Sequence, residues 1–474
     1  MSREADLADA HPAEAPADED LEDLALDEDY ALNAAFVDMV IDAADLGDGA
    51  RVRELVSALR PADVADLMGF LTANYRREIL PHIPPDELAE ILSELDTNIR
   101  EEVLEDLAPA TLAKALETLD SDDAADVVDD LDEDRRKSVL AAMPAIERSA
   151  IEASLAHDET SAGRLMQREV VYAPQFWTVG QVVEHMSRDD DDLPELFFDV
   201  YVVDPTMRPV GAVPVSRLLR ASRDAALADF MEAVTEIPVD MDQEEVAYIF
   251  DKYHLISAPV VDAGGRLVGQ ITVDDVVGVI QEESQEDMLA LANVSGAGRD
   301  ATTAGIVRSR LPWLVLNLAT ETVAVSAIAI YQDEIARIVT LAVLMPIISS
   351  LGGNAGTQTL AVAVRALAAR EMNASNIRRI IGRELAAGLL NGLGLAIVMG
   401  LAVMAFYHDY KLALTAGLAL IADIFVAAVG GIVAPLILER MGRDPAVSSS
   451  IIVTFLTDLA GFFSVLTIAA LILL

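Results

Sequence analysis

The residues best placed to do chemistry are the few carboxylates set inside apolar stretches. Glu321, Asp423 and Asp458 lie within long hydrophobic runs of this 474-residue chain, and Glu384 stands near the end of another. An ionisable side chain at membrane depth is expensive and generally marks a pathway or a polar interior. Asp458 is flanked by Ser448, Ser449, Ser450, Thr454 and Thr457, hydroxyls that would form a wet stripe along one side of a helix. That pattern leaves Asp458 as either a pore ligand or a carboxylate hydrogen-bonded within a helical bundle, and the second is the expectation for Glu321 and Asp423. A second group, Asp122, Asp123 and Asp126, has spacings of three and four that place carboxylates on one helical face. The chain has no Cys and 6 His. This excludes disulfides, Cys-ligated zinc and thiol catalysis, and leaves metals that bind oxygen. With no P-loop, G-x-S-x-G or H-E-x-x-H string either, the expectation is that the chain is not an enzyme.

The elements that must carry these groups fall into two electrically different parts. Of 79 Asp+Glu and 33 Lys+Arg, residues 305–474 hold only 10 and 11. The first 304 residues therefore carry a net charge of about −47, which speaks against nucleic acid as a partner. Residues 1–48 lack the basic and apolar regions of a signal peptide and read as an acidic, disordered tail. Apolar segments at roughly 311–331, 336–362, 384–407, 412–438 and 447–474 are each long enough to span a hydrocarbon core. The second contains Pro346 and the run Gly352-Gly353-Asn354-Ala355-Gly356, which weakens helix continuity and permits close helix contact. One set of flanks carries Arg308, Arg310, Arg365, Arg370, Arg378, Arg379, Arg383, Arg440 and Arg443; the other carries Arg337 and Lys411. The positive-inside rule then places the N-terminal half in the cytoplasm and the C-terminus outside a bacterial inner membrane.

Residues 50–155 repeat with a 24-residue period. Pro61, Pro85, Pro109 and Glu133 mark the starts, with Leu59, Ile83, Leu107 and Leu131 in one apolar row and Met68, Leu92, Leu116 and Leu140 in another. Proline at a helix start followed by helical apolar spacing implies short helices stacked into a superhelix. From about 160, the order strand, helix, two strands, helix occurs twice and resembles a tandem pair of CBS domains. The second copy, with "HLISAPVVDAGGRLVGQIT", also has Thr272 and Asp275 in a T-x-x-D spacing similar to the ribose contact of nucleotide-binding CBS domains. The resemblance implies one possible regulatory ATP site there; the first copy has Pro214-Val215-Ser216-Arg217 instead.

"VLMPIISSLGGNAGTQTLAVAVRALA", "RLPWLVLNL", "GRDPAVSSS" and "TFLTDLAGFF" together resemble the MgtE family of magnesium channels. The resemblance implies a multidomain integral membrane protein in six parts. These are the tail 1–48, an α-helical superhelix at 49–158, α/β CBS domains at 159–224 and 225–282, a connecting plug helix at 283–304, and a five-helix transmembrane domain at 305–474. It implies a homodimer in the lipid bilayer, with Mg²⁺ passing between two copies of Asp458. It places Asp444 at a further acid near the last helix, and sensor acids at Asp122, Asp126, Asp242, Glu244, Asp275, Glu283, Glu286 and Asp287. His254 and Gly278 stand where some members have acids. Mg²⁺ bridging the sensor acids would favour a closed state, because a dimer brings about −94, twice −47, into its soluble layer.

The expected activity is a Mg²⁺-selective channel for magnesium uptake, closed by Mg²⁺. A transporter coupled to H⁺ or Na⁺ through Glu321 and Asp423 is one alternative. A non-transporting membrane sensor of Mg²⁺ or nucleotide is the other.

Overall fold

The computed structural model describes residues 21–474, apart from 29, 85–86, 188–192, 195, 293, 295–302, 373–375 and 474. Two compact units result, Met1–Val279 and Ile280–Leu474.

The first unit begins with short helices whose apolar faces form one continuous core running from Ala25 to Ile151. Helices starting at Ala73, Thr97, Ser121 and Ala145 repeat every 24 residues, as the sequence period predicts. They alternate with helices of which Pro61–Phe70, Pro109–Leu116 and Glu133–Ala142 begin at the predicted positions; Pro85 lies outside the described residues. The tail prediction needs correction. Residues 1–20 lie outside the described residues, but Ala34–Asp45 is a helix capped by Asn33, with Phe36, Val40, Ala43 and Ala44 buried. Its "AFVDMVIDAA" carries apolar side chains at helical spacing, and these outweigh the surrounding acids.

Two three-stranded sheets come next in the chain. Strands β1 (Tyr172–Pro174), β2 (Asp199–Val203) and β3 (Pro209–Pro214) pair in that order, first parallel and then antiparallel. Strands β4 (Ile237–Pro238), β5 (Ser257–Val261) and β6 (Leu267–Thr272) repeat the arrangement. The two sheets are tied by Tyr201, whose hydroxyl donates to Ser257 Oγ at 2.9 Å, while Ser257 donates to Asp199 Oδ2 at 2.8 Å. Two helices carry most of the expected sensor acids: α1 (Ser121–Asp129) in the superhelix, and α2 (Val273–Leu291), which leaves β6. Residues 283–291 of the expected plug helix thus continue the last helix of the second CBS copy without a break. Residues 293 and 295–302 lie outside the described residues.

The second unit is a bundle of long helices: α3 (Thr303–Ile330), α4 (Thr340–Ala368), α5 (Ile377–Tyr407), α6 (Tyr410–Arg440) and α7 (Ser449–Ile472). Four of them, α3, α5, α6 and α7, are long and apolar enough to cross a membrane. Helix α4, 29 residues long, contains the string "GGNAGTQT". The expected weakening at this run does not occur, since α4 is continuous through Pro346 and the glycines. The glycines instead bring helices together. A Cβ on Gly431 of α6 would lie 2.8 Å from the Gly356 carbonyl oxygen, and one on Gly356 would lie 2.5 Å from Val453 of α7. Backbone contact this close supports the unbroken helix from outside.

Candidate functional site

In the bundle, Asp458 sits half-buried on α7 and accepts a hydrogen bond from the Ser349 hydroxyl of α4. The predicted hydroxyl stripe is narrower than the sequence suggests. Thr457 is fully buried and donates to the Thr454 carbonyl of its own helix at 2.9 Å. Ser449 is likewise buried and donates to the Pro445 carbonyl at 2.5 Å. Both hydroxyls are satisfied within the chain, because a serine or threonine in a helix readily bonds back to the preceding turn. Sequence reading missed Ser349, whose only signal is its place three residues before Gly352 on the same face of α4.

Glu321 on α3 lies within hydrogen-bonding reach of Asp458. Asp423 on α6 does not behave as expected. It is 0% exposed, and neither of its oxygens has a hydrogen-bond partner among the described residues.

Asp444 lies in the turn before α7 and accepts from the Ala446 N–H at 2.7 Å, an Asx turn ahead of the helix and not a cap on it. It also faces Asp287 of α2. Burial first, and then Asp444, Glu283 and Glu286, push the Asp287 carboxyl above its ordinary range. Ala290, one turn further on, packs against Leu360, Val364, Ala434, Ala446 and Val453, holding this part of α2 against α4, α6 and α7. Asp287 and Asp444 are therefore two acids of different elements set in one small region.

In the first unit, Asp122 of α1 and Asp275 of α2 come together across the junction of superhelix and CBS pair. Asp122 is 8% exposed; burial and the facing Asp275 drive its carboxyl well above the usual carboxylate range. Burial raises Asp275 to about 7, with Asp274, Asp123 and Asp120 adding to the shift and a hydrogen bond from Thr272 opposing it. Asp123 is raised to about 6, again chiefly by burial and then by Asp120 and Asp126. Several carboxylates held this close repel when ionised, and a bridging cation relieves that repulsion. Among the described residues, however, no three His, Asp or Glu side chains form a ready-made metal cage.

The junction is strapped by groups that carry no such charge signal. Ser121 donates through N–H and Oγ to Glu169 Oε2, at 3.2 and 2.9 Å. Gln167 Nε2 donates to Asp120 Oδ2 at 3.0 Å, and Gln270 Nε2 donates to Gln167 Oε1 at 3.0 Å. Asp126 is already engaged: buried Arg164 meets it at 3.0 Å and Asp129 at 3.1 Å. Arg164 and these straps were not singled out from sequence. Arg164 is 38 positions from Asp126, so only the folded chain reveals that the acid has a resident cation.

Asp242 and Glu244 are exposed. Asp242 caps the helix Gln243–Tyr253 by accepting from the Glu244 N–H at 3.0 Å. Glu283 and Glu286 lie on α2, half-buried and exposed respectively. His254 ends its helix in a left-handed conformation, φ 53°. At the T-x-x-D spacing, the Thr272 hydroxyl donates to Asp275 Oδ2 at 2.8 Å, so the pair closes on itself at the start of α2.

A helical-repeat domain, a CBS pair and a bundle of long apolar helices that carries carboxylates define a multi-pass membrane protein of the ion-transport kind. Profile comparison agrees segment by segment. Residues 59–160 match the MgtE intracellular N domain, 162–224 and 227–282 match the CBS domain, and 345–468 match the MgtE divalent cation transporter profile. The chain is 32% identical over 325 residues to the magnesium transporter MgtE of Enterococcus faecalis, covering 68% of this chain and 72% of that one. It is 33% identical over 331 residues to the magnesium transporter MgtE of Thermus thermophilus, covering 69% and 73%. Among solved structures, it is similar to the cytosolic domain of the Mg²⁺ channel MgtE in complex with ATP, at 32% identity. That match has a TM-score of 0.49 and covers 51% of this chain and 99% of that chain. The chain belongs to the MgtE family.

Proposed function

We propose that this protein is a Mg²⁺-selective channel whose opening is controlled by Mg²⁺ at its acidic soluble domains. The observation that carries the pathway is Asp458, a half-buried carboxylate at membrane depth held in place by Ser349. Mg²⁺ keeps its water tightly and prefers octahedral oxygen. A carboxylate oriented by a hydroxyl attracts the hydrated ion and bonds its water shell. A homodimer, with one Asp458 from each copy facing the ion, supplies the symmetric path that a five-helix bundle alone would hardly enclose.

Gating follows from the acids outside the bundle. When Mg²⁺ is abundant inside the cell, it bridges Asp122 to Asp275 and occupies the region of Asp287 and Asp444, favouring a closed form. When Mg²⁺ is scarce, the ionised carboxylates repel and the junction loosens. Asp126, Asp242, Glu244, Glu283 and Glu286 add to the attracting field. The soluble part lies in the cytoplasm and the C-terminus outside, as the arginine-rich flanks favour. ATP would act as a regulatory ligand at the second CBS copy, and Thr272 would have to release Asp275 to take part. No enzymatic activity is proposed.

A transporter coupled to H⁺ or Na⁺ is favoured by one observation, the buried Asp423 beside the path. The two readings separate in sealed proteoliposomes. A channel carries Mg²⁺ along the electrical gradient with no proton or sodium gradient present; a coupled transporter at fixed voltage requires one. Wild-type protein that needs such a gradient would overturn the channel reading.

A further inference from the structure

Helices α4 and α5 each pack on α6, and a groove stays open between them. Its floor is Ile424 and Ala428 of α6, and its two parts, which share Gln358 and Asn391 in their walls, hold about 540 and 220 Å³. Leu351, Leu390 and Leu395 make the larger part mostly apolar. Two glycines of α5 shape the space. Gly388 lies so close to α6 that a Cβ there would come within 2.7 Å of the Ala428 methyl, whereas a Cβ on Gly394 would meet nothing within 4 Å.

Three carboxamides line the groove, Asn354 and Gln358 from α4 and Asn391 from α5. All three are exposed, and none has a hydrogen-bond partner among the described residues. Gln358 and Arg365 are two turns apart on α4, as Glu384 and Asn391 are on α5, which sets both amides about 10 Å deeper in the span than those charges. Acyl chains offer an amide N–H no acceptor, and a polar group left without one in hydrocarbon is costly. Whatever fills the groove must therefore bring oxygen to that depth.

The mouth of the groove is basic. Arg365 lies one turn beyond Val362 of the α4 wall, and Arg379 and Arg383 run at intervals of four into Ala387 of the α5 wall. All three arginines are exposed, and Arg383 pairs with Glu384 of the groove at 3.3 Å. These four groups leave a charge of +2, three arginines less one glutamate. Arginine at the end of a membrane span follows from the positive-inside rule alone. Unpartnered amides in a groove that leads down from those arginines do not.

We propose that the α4–α5 groove binds one anionic phospholipid of the leaflet on the arginine-rich side. Its phosphate would meet Arg365, Arg379 and Arg383, whose planar forks suit phosphate oxygens. Its ester carbonyls would accept from Gln358 and Asn391, and an acyl chain would lie over Leu351, Leu390, Leu395 and Ile424. A second copy of the chain seated there by two-fold symmetry would instead set two basic mouths against each other at one membrane level. The lipid site does not depend on ion conduction, so a wild type that carries no Mg²⁺ leaves it standing.

The test is lipid binding by the full-length protein, stripped of lipid in detergent and mixed with dioleoyl phosphatidylglycerol or dioleoyl phosphatidylcholine, read by native mass spectrometry. Phosphatidylglycerol should occupy one site per chain, on the order of tenfold tighter than phosphatidylcholine. R379Q/R383Q should bring the two lipids to equal affinity. Q358L/N391L should weaken both, because their ester carbonyls are the same. Equal binding of the two lipids by the wild type, or unchanged phosphatidylglycerol binding in R379Q/R383Q, overturns the proposal. Unchanged lipid binding in Q358L/N391L overturns it as well; if that variant also sediments as a smaller species, a second copy is what covers the groove. Should Q358L/N391L not fold, R379Q/R383Q decides alone, since its exposed side chains can be replaced without disturbing the bundle.

Discussion

At the scale of single residues, the acids at the junction of superhelix and CBS pair make a prediction about pH. Asp275 is raised to about 7 and Asp123 to about 6, both chiefly by burial, from an ordinary value of 3.8. Asp122 is raised as well, by burial first and then by Asp275, Asp123 and Asp120, while Arg164 and Arg100 offset part of the charge near Asp126. A carboxyl with a raised folded-state value holds more protons folded than unfolded between 3.8 and about 7. Stability therefore falls as pH rises through that window, and the whole penalty is present above it. In a chelator, the melting temperature of the soluble part should rise when the pH is lowered from about 8 to about 5. Added Mg²⁺ should reproduce that rise at about pH 8. A flat profile, or one that falls on acidification, would contradict the arrangement. Asp275→Asn should raise the Mg²⁺-free melting temperature at about pH 8 and flatten the profile. The spacing of Asp122, Asp123 and Asp126 on one face was legible in the sequence. That Asp126 is engaged by Arg164 and that Asp275 opposes Asp122 was not, because those partners are brought together only by tertiary docking.

At the scale of elements, the 24-residue period was readable because each repeat must bury the same apolar rows against its neighbours. What it did not reveal is how the repeats are stapled. Arg76 donates to the Met68 and Leu71 carbonyls and pairs with Glu102; Arg100, one period later, donates to the Ser93 carbonyl and to Asp130. In the membrane part, glycine was rightly read as a packing residue and wrongly as a breaker of α4. Local propensity is overruled when neighbouring backbones press against the helix. Gly431→Ala tests this contact, since the added methyl meets the Gly356 carbonyl, Thr359 Cβ and the Leu360 N–H, none of them the far end of a flexible side chain. The loss of stability should be about 1–3 kcal/mol, read as a lower melting temperature of the purified protein. Gly382→Ala, where nothing lies within 4 Å of the added methyl, is the control and should not lower it, since alanine is the better helix former at an unobstructed helical site.

At the scale of the whole molecule, the formal net charge of −46 resides almost entirely outside the bundle, so the divalent-ion response belongs to many acids together. Asp122→Asn, Asp275→Asn and Asp287→Asn combined should leave the protein conducting at internal Mg²⁺ concentrations that close the wild type. Each substitution alone should only shift the closing concentration. A triple variant that closes like wild type would end the gating account. The charge step and the apolar runs revealed the two-part architecture from sequence alone, since composition follows solvent. The seam of Ser349, Gly352, Asp423 and Gly461 stayed hidden, because it joins three helices whose mutual rotation no linear pattern records. The most direct test of the account is Mg²⁺ influx into proteoliposomes at clamped voltage, for wild type and for Asp458→Ala. The account predicts influx that follows the electrical gradient in the wild type and is strongly reduced, or loses selectivity, in the variant. Equal and equally selective influx in both would remove Asp458 from the path and contradict it.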